Sequence, residues 1–371
     1  MKFFFRHSWF TVCLFVLLPL VSCELWVNQH LFDYVSYTNS QNMDPQIKYF
    51  EARNDWRFIA LGSSEVKWGI EPSQIAQDLA VKGVNVSGFN LGFDGFNENF
   101  YLSILPFLQL PKRSSQLDVA LIGVNLVEEK KILPSSFDEG FPCNGILQKA
   151  VLKSAFAKDY GLDHFCSSSG WQQFLVKPWE KLSSIFRYRQ AMRSLLLGYD
   201  RPTDLIGVIS NSLGQYPNGF HAHKAAKDNS QEVQIDYQRF LADKKTHPQL
   251  FQPMEPQAWP TLLKQDGFFD RWANYFIDSQ VLPVFFALPT NPLMIDARHR
   301  REDYQRNSQL MQVWAEKRNI VFIDLGIMDR YDKLIYYSDH RHLSVNGAVT
   351  YSRELGNALA ANPKVLKVLS N

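Results

Sequence analysis

The sequence predicts an α/β domain: a parallel sheet with helices on both faces, interrupted by one large, mainly helical insertion. Three observations carry this. Short apolar runs rich in β-branched and aromatic residues recur at Arg57–Leu61, Val84–Phe89, Asp118–Ile122, Leu282–Leu288 and Ile320–Ile323. Such runs suit strands buried on both faces. Helical patterns lie between them, and strand–helix alternation implies parallel pairing. The third observation is a gap. From Glu128 to about Asp266 no run reads as a core strand, although a crossover needs only a dozen or so residues.

Taken in order, the chain opens on Lys2, Arg6 and His7, continues in an apolar run from Trp9 to Leu20, and ends this segment at Leu20-Val21-Ser22-Cys23. A positive start followed by a short apolar run is the pattern of an export signal. Its ending resembles a bacterial lipobox, in which Cys23 would be lipidated and become the mature N-terminus. The alternatives are an uncleaved anchor and plain secretion. Trp9–Cys23 covers 15 residues, short of the ~20 that a spanning helix needs. Pro19 disfavours a continuous helix there, and an anchor running on through Leu25-Trp26-Val27 would have to bury Glu24. Each of these readings puts the body outside the cytoplasm, membrane-attached in the first two.

Residues 24–54 mix aromatic and polar side chains and read as a spacer, and residues 55–371 form the folded body, with the insertion at about 128–266. Cys13 and Cys23 belong to the leader, which leaves Cys143 and Cys166 in the insertion. In an oxidising compartment these are expected to form a disulfide, the alternative being two buried thiols. The stretch Trp171–Leu197 has a helical pattern carrying Lys177, Lys181, Arg187, Arg189 and Arg193 against Glu180, which reads as a solvated face packing its apolar stripe, the alternative being a helix lying on a membrane. His221 and His223 lie in a polar stretch with no matching carboxylate or cysteine nearby, so no metal is expected, and no motif calls for a cofactor.

Beyond the insertion, Leu310, Val313 and Trp314 mark a helix within 302–318. Ala348, Tyr351, Leu355 and Leu359 mark another, capped by Ser344. Composition narrows the function classes. The chain has 371 residues, 46% hydrophobic and 20% charged, as expected of a globular protein. It carries 39 basic and 37 acidic residues; the leader holds two bases and no acid, so the body balances at 37 each. Nothing here provides the basic field that nucleic-acid binding requires.

Four ordered blocks carry the chemistry, each placed where a strand is expected to end. Phe58-Ile-Ala-Leu-Gly-Ser-Ser-Glu-Val66 reads as a buried strand, a tight turn at Gly62 and a helix start bearing Ser63 and Ser64. A hydroxyl at such a turn is exposed, and the amides beginning the helix can stabilise an oxyanion. Asn90-Leu-Gly-Phe-Asp-Gly95 and Gly123-Val-Asn125-Leu126 each supply amide donors after later strands. Asp339-His-Arg-His342 supplies an aspartate three residues before a histidine. In such a set the histidine takes the serine proton and returns it to the leaving group, while the aspartate orients the imidazole. Read one at a time, each block is ordinary capping or turn chemistry. Their joint order makes a kit for acyl transfer through a serine ester.

These four blocks resemble those of the SGNH (GDSL-like) hydrolase superfamily, over Trp56 to Leu359 without the insertion. The resemblance implies a three-layer α/β/α, flavodoxin-like fold, with Ser64 as nucleophile, Asp339 and His342 as its partners, and Gly95 and Asn125 as oxyanion donors, Gly92 being the fallback for Gly95. His340 is the rival histidine. Ser63, Glu65 and Leu126 depart from the family pattern. GSSE in place of GDSL, beside a membrane-attached N-terminus, resembles the branch of envelope O-acylation proteins that includes the teichoic-acid D-alanylation protein; the alginate-type acetylation proteins are related in role. The expectation is an esterase or O-acyltransferase acting on O-acyl groups of cell-envelope glycan, with a multispanning membrane acyltransferase as a candidate partner. A lipid-directed esterase or thioesterase, and a non-catalytic glycan-binding or scaffold protein, are the alternatives.

Overall fold

The computed structural model describes residues 13–34, 50, 53–92, 116–127, 183, 185, 218, 220, 238, 242, 245–246, 258–297, 299–330, 336–339 and 341–370. The chain divides into two compact units, Met1–Pro45 with Pro134–Gln215, and Gln46–Leu133 with Tyr216–Asn371.

In the first unit, a π-helical turn at Cys13–Leu17 leads into helix α1, Leu18–Tyr34. Pro19 is the second residue of α1, directly after the π-helical turn, and the changed hydrogen-bond pattern at that junction accommodates a residue without a backbone N–H. The helix therefore continues through Cys23, which forms no disulfide, and runs on into the stretch expected to be a spacer. Leu18, Leu20, Val21 and Leu25 are exposed on it, as is Phe15 in the turn before it. Glu24 accepts hydrogen bonds from Ser183 Oγ at 2.7 Å and from the amide of Ile185 at 3.2 Å. Among the described residues, no helix is long and apolar enough to cross a membrane.

The second unit is built on five parallel strands, β1 (Trp56–Gly62), β2 (Ser87–Gly92), β3 (Val119–Val124), β4 (Leu282–Ala287) and β5 (Val321–Ile323), in the order β2-β1-β3-β4-β5. The sequence expects every one of them. β2 is displaced the most, starting at Ser87 rather than Val84. Its partner decides the frame: Ala60, Leu61 and Gly62 pair with Asn90, Leu91 and Gly92, so the ladder extends over residues of poor strand propensity. Of the helices joining them, α2 (Ser64–Gly69) and α3 (Pro72–Ala80) lie between β1 and β2. α4 (Ala258–Leu262) and α5 (Phe268–Ile277) precede β4, while α6 (Pro292–Ala297) and α7 (Arg301–Lys317) follow it. α8 (Val345–Ala361) and α9 (Pro363–Leu369) close the chain. The helix expected over 302–318 is α7, and the one expected after Ser344 is α8.

Strand alternation sorts the core into two faces. Phe58, Ala60, Val119, Leu121, Val284 and Phe286 pack in one cluster with Ile75 and Leu79 of α3 and with Tyr351 and Leu355 of α8. On the opposite parity, Phe285 meets Phe269 of α5 and Trp314 of α7 edge-on, with ring centroids 5.9 and 5.2 Å apart. Helices thus cover both faces, as the continuous apolar strands require. Capping fixes where the helices start. Ser344 Oγ accepts from the amide of Gly347 at 3.2 Å, as its position in the sequence predicts. Glu71 accepts from the amides of Ser73 and Gln74 ahead of α3.

Candidate active site

Ser64 is the first residue of α2, two positions beyond the end of β1. The chain turns hard there. A Cβ on Gly62 would sit 2.2 Å from Val66 Cγ2, so glycine is what lets the strand end this close to the helix it feeds. Ser63 is the helix N-cap through its backbone; its carbonyl accepts from the amides of Val66 and Lys67 at 3.0 and 3.1 Å. This leaves Ser64 half-buried with its hydroxyl turned toward the segment that ends at α8.

That segment is a tight clasp. Tyr337 bridges Leu343 in antiparallel fashion, the amide of Ser338 donates to the His342 carbonyl at 2.9 Å, and the amide of Ser344 donates to the Tyr336 carbonyl at 2.9 Å. Inside it, Asp339 Oδ1 accepts from the amides of Arg341 and His342 at 2.6 and 2.7 Å. The other carboxylate oxygen, Oδ2, faces His342 Nδ1 at 2.7 Å, and His342 Nε2 lies 2.8 Å from Ser64 Oγ. Asp339, His342 and Ser64 form one unbroken chain of hydrogen bonds.

Its electrostatics follow from this arrangement. Burial works to raise the Asp339 pKa, but the hydrogen bond and charge of His342 and the two backbone amides outweigh it, holding the carboxyl well below the usual carboxylate range. Burial also works to lower the His342 pKa. The hydrogen bond to Asp339, the charge of Asp339 and then the charge of Glu65 override it against an opposing Arg341, and the His342 pKa is raised above the ordinary histidine value. An ionised Asp339 requires the proton of neutral His342 on Nδ1, which leaves Nε2 as the acceptor for the Ser64 hydroxyl.

Asn125 follows β3 and is buried. Its Oδ1 accepts from the amide of Val127 at 3.0 Å. Its Nδ2 points to Glu65, 3.3 Å from each carboxylate oxygen. Asn125 and Ser64 are thus brought to one end of the sheet, where parallel α/β sheets bind ligands. Gly95, His340, Cys143, Cys166, His221 and His223 lie outside the described residues, as do Lys177, Lys181, Arg187, Arg189 and Arg193 of the basic stretch. Gly92, the fallback donor, has its amide on Asn90 Oδ1 at 2.9 Å.

Two residues that the sequence places in the blocks without a role of their own are made prominent by the geometry. Asn90, fully buried, donates through Nδ2 to the carbonyls of Val66, Lys67 and Ile70 at 2.9, 3.3 and 2.6 Å. It fastens the body of α2 to the end of β2, so it serves the helix that carries Ser64. Gly92 permits this approach, since a Cβ there would lie 2.4 Å from the Lys67 amide nitrogen. Glu65 is the other: beside the serine, it gathers Asn125 and, at 3.3 Å, the hydroxyl of Ser63. Its place next to Ser64 was the available signal, but a glutamate in a first helical turn ordinarily answers the helix dipole. Neither family models nor curated proteins show a match to this chain.

Proposed function

We propose that this protein is an extracytoplasmic serine-dependent acyl esterase or O-acyltransferase, acting on O-acyl groups of cell-envelope glycan through an ester formed on Ser64. The observation that carries the reading is the Asp339–His342–Ser64 chain, with its two side-chain contacts at 2.7 and 2.8 Å. His342 Nε2 accepts the Ser64 proton as Oγ attacks the acyl carbonyl; the oxygen of the tetrahedral adduct takes up the negative charge. When the adduct collapses, His342 returns that proton to the departing alkoxide, and Ser64 is left as the ester. Water or a sugar hydroxyl then attacks in the same way, giving an acid or a new ester. Asn125 is the donor assigned to the oxyanion, with Gly95 as its companion.

The strand order supports the finer fold reading of a three-layer, flavodoxin-like SGNH domain, because 2-1-3-4-5 is the order of flavodoxin-like sheets. Membrane attachment through Cys23 is part of the proposal, and the exposed apolar side chains around it are in keeping with that.

The test is active-site labelling. Ser64 should react with a fluorophosphonate, which needs a serine activated by a base. Ser64→Ala and His342→Ala should each remove most turnover of p-nitrophenyl acetate, while His340→Ala should be mild. Asn125→Ala should cost about 10²–10³ in rate, as for loss of one oxyanion donor. Label on Ser63 would move the nucleophile by one residue. An unlabelled protein whose Ser64→Ala strain keeps normal glycan acylation would leave the scaffold reading in place.

A further inference from the structure

The contact between Glu65 and Asn125 is not needed for the Ser64–His342–Asp339 relay. Among the described residues Glu65 hydrogen-bonds to two groups, Ser63 Oγ and Asn125 Nδ2, both neutral and both at 3.3 Å. No Lys or Arg pairs with it there. The Asn125 amide is held by its other end, since Oδ1 accepts from the Val127 amide, so Nδ2 keeps its direction whether or not Glu65 is present. A carboxylate on the donor meant for an oxyanion has two consequences. It occupies a hydrogen bond that an ester carbonyl needs, and it opposes negative charge building up on that carbonyl.

Resting on the acyl-transfer reading above, we propose that Glu65 is a positioning residue that occupies the Asn125 donor in the resting enzyme and must yield it to the substrate carbonyl. Ser63 Oγ, which donates to Oε2 of the same carboxylate, is the partner that Glu65 retains when it yields the amide. The exchange makes the resting site less reactive toward small esters that bind too weakly to displace a carboxylate. Glycan-borne esters have more contacts with which to drive the displacement. Glu65 also acts on His342, whose imidazole is flanked by Asp339, Glu65 and Arg341; losing one of the two negative charges lowers the pH at which His342 becomes a base.

The full-length protein is assayed by fluorophosphonate labelling of Ser64 and by p-nitrophenyl acetate turnover across pH, as wild type, Glu65→Ala, Glu65→Gln, Asn125→Ala and the Glu65→Ala/Asn125→Ala double variant. Glu65→Ala is expected to raise kcat/KM and the labelling rate by about 2–10-fold, the weight of one hydrogen bond released. The double variant should show no such gain over Asn125→Ala, because the donor being released belongs to Asn125. Glu65→Gln should move the acid limb of kcat/KM to lower pH. Slower labelling of folded Glu65→Ala and Glu65→Gln, or a gain that persists without the Asn125 amide, overturns the inference while leaving the acyl-transfer reading intact. Wild-type protein that takes no label at Ser64 removes both.

Discussion

At the scale of single residues, His342 concentrates the chemistry because it touches Asp339 on one nitrogen and Ser64 on the other. Its raised pKa sets the pH dependence. In the proposed mechanism neutral imidazole is the working form, so kcat/KM should fall as pH drops through a value above the ordinary ~6.5 of histidine. Asp339→Asn removes the largest of the groups that raise it, so the acid limb should shift to lower pH while kcat drops by about 10⁴. A pH–rate profile with an unmoved limb would contradict the hydrogen bond at Nδ1. The same pair bears on stability. The contribution of Asp339, whose pKa is depressed by folding, is present above about pH 3.9 and is lost as pH falls through its folded value. That of His342, whose pKa is raised, is complete below about 6.5 and is lost as pH rises through its folded value.

At the scale of elements, α2 has six residues, too few to hold its own place in water. What keeps Ser64 aimed is its surroundings: β1 behind it, and Asn90 reaching from β2 to two of its carbonyls and to that of Ile70 just past its end. Asn90→Ala should therefore destabilise the protein by about 1–3 kcal/mol, the cost of leaving buried polar groups without a partner. Labelling at Ser64 should slow as well. Urea unfolding of the variant measures the first effect; a midpoint equal to that of wild type would show that α2 is anchored elsewhere. The clasp at 336–344 does the same for the histidine, since its backbone bonds join the Asp339–His342 turn to the capped start of α8.

At the scale of the whole molecule, attachment is the property most open to a direct test. Cys23 stands within α1 among exposed apolar neighbours. If it is the lipidated residue, Cys23→Ser should accumulate as a longer precursor in cells and lose labelling by a fatty-acid probe. Processing and labelling that match wild type would exclude lipidation there. Under the proposed function, p-nitrophenyl acetate turnover should be kept in that variant, because β1 to β5 and the site they carry belong to the other unit.

The strands were legible because burial on both faces imposes a local apolar run, and a local pattern can be read without knowing what it packs against. Ser64, Asp339 and His342 were legible for a related reason. A strand–Gly–Ser turn and an Asp three residues before a His are short-range motifs, even though 278 residues separate Ser64 from His342. The tertiary structure decided the rest. Which serine meets the imidazole follows from the turn at Gly62 and the geometry of the clasp. The frame of β2 follows from its pairing with β1. That Asn90 serves α2, and that Glu65 sits on the Asn125 amide, depends on side chains from separate strands and helices converging at one sheet edge. Such contacts leave no periodic trace in the chain: they are set by distance in the folded state, and the same amides and carboxylates would read as turn and capping residues anywhere else.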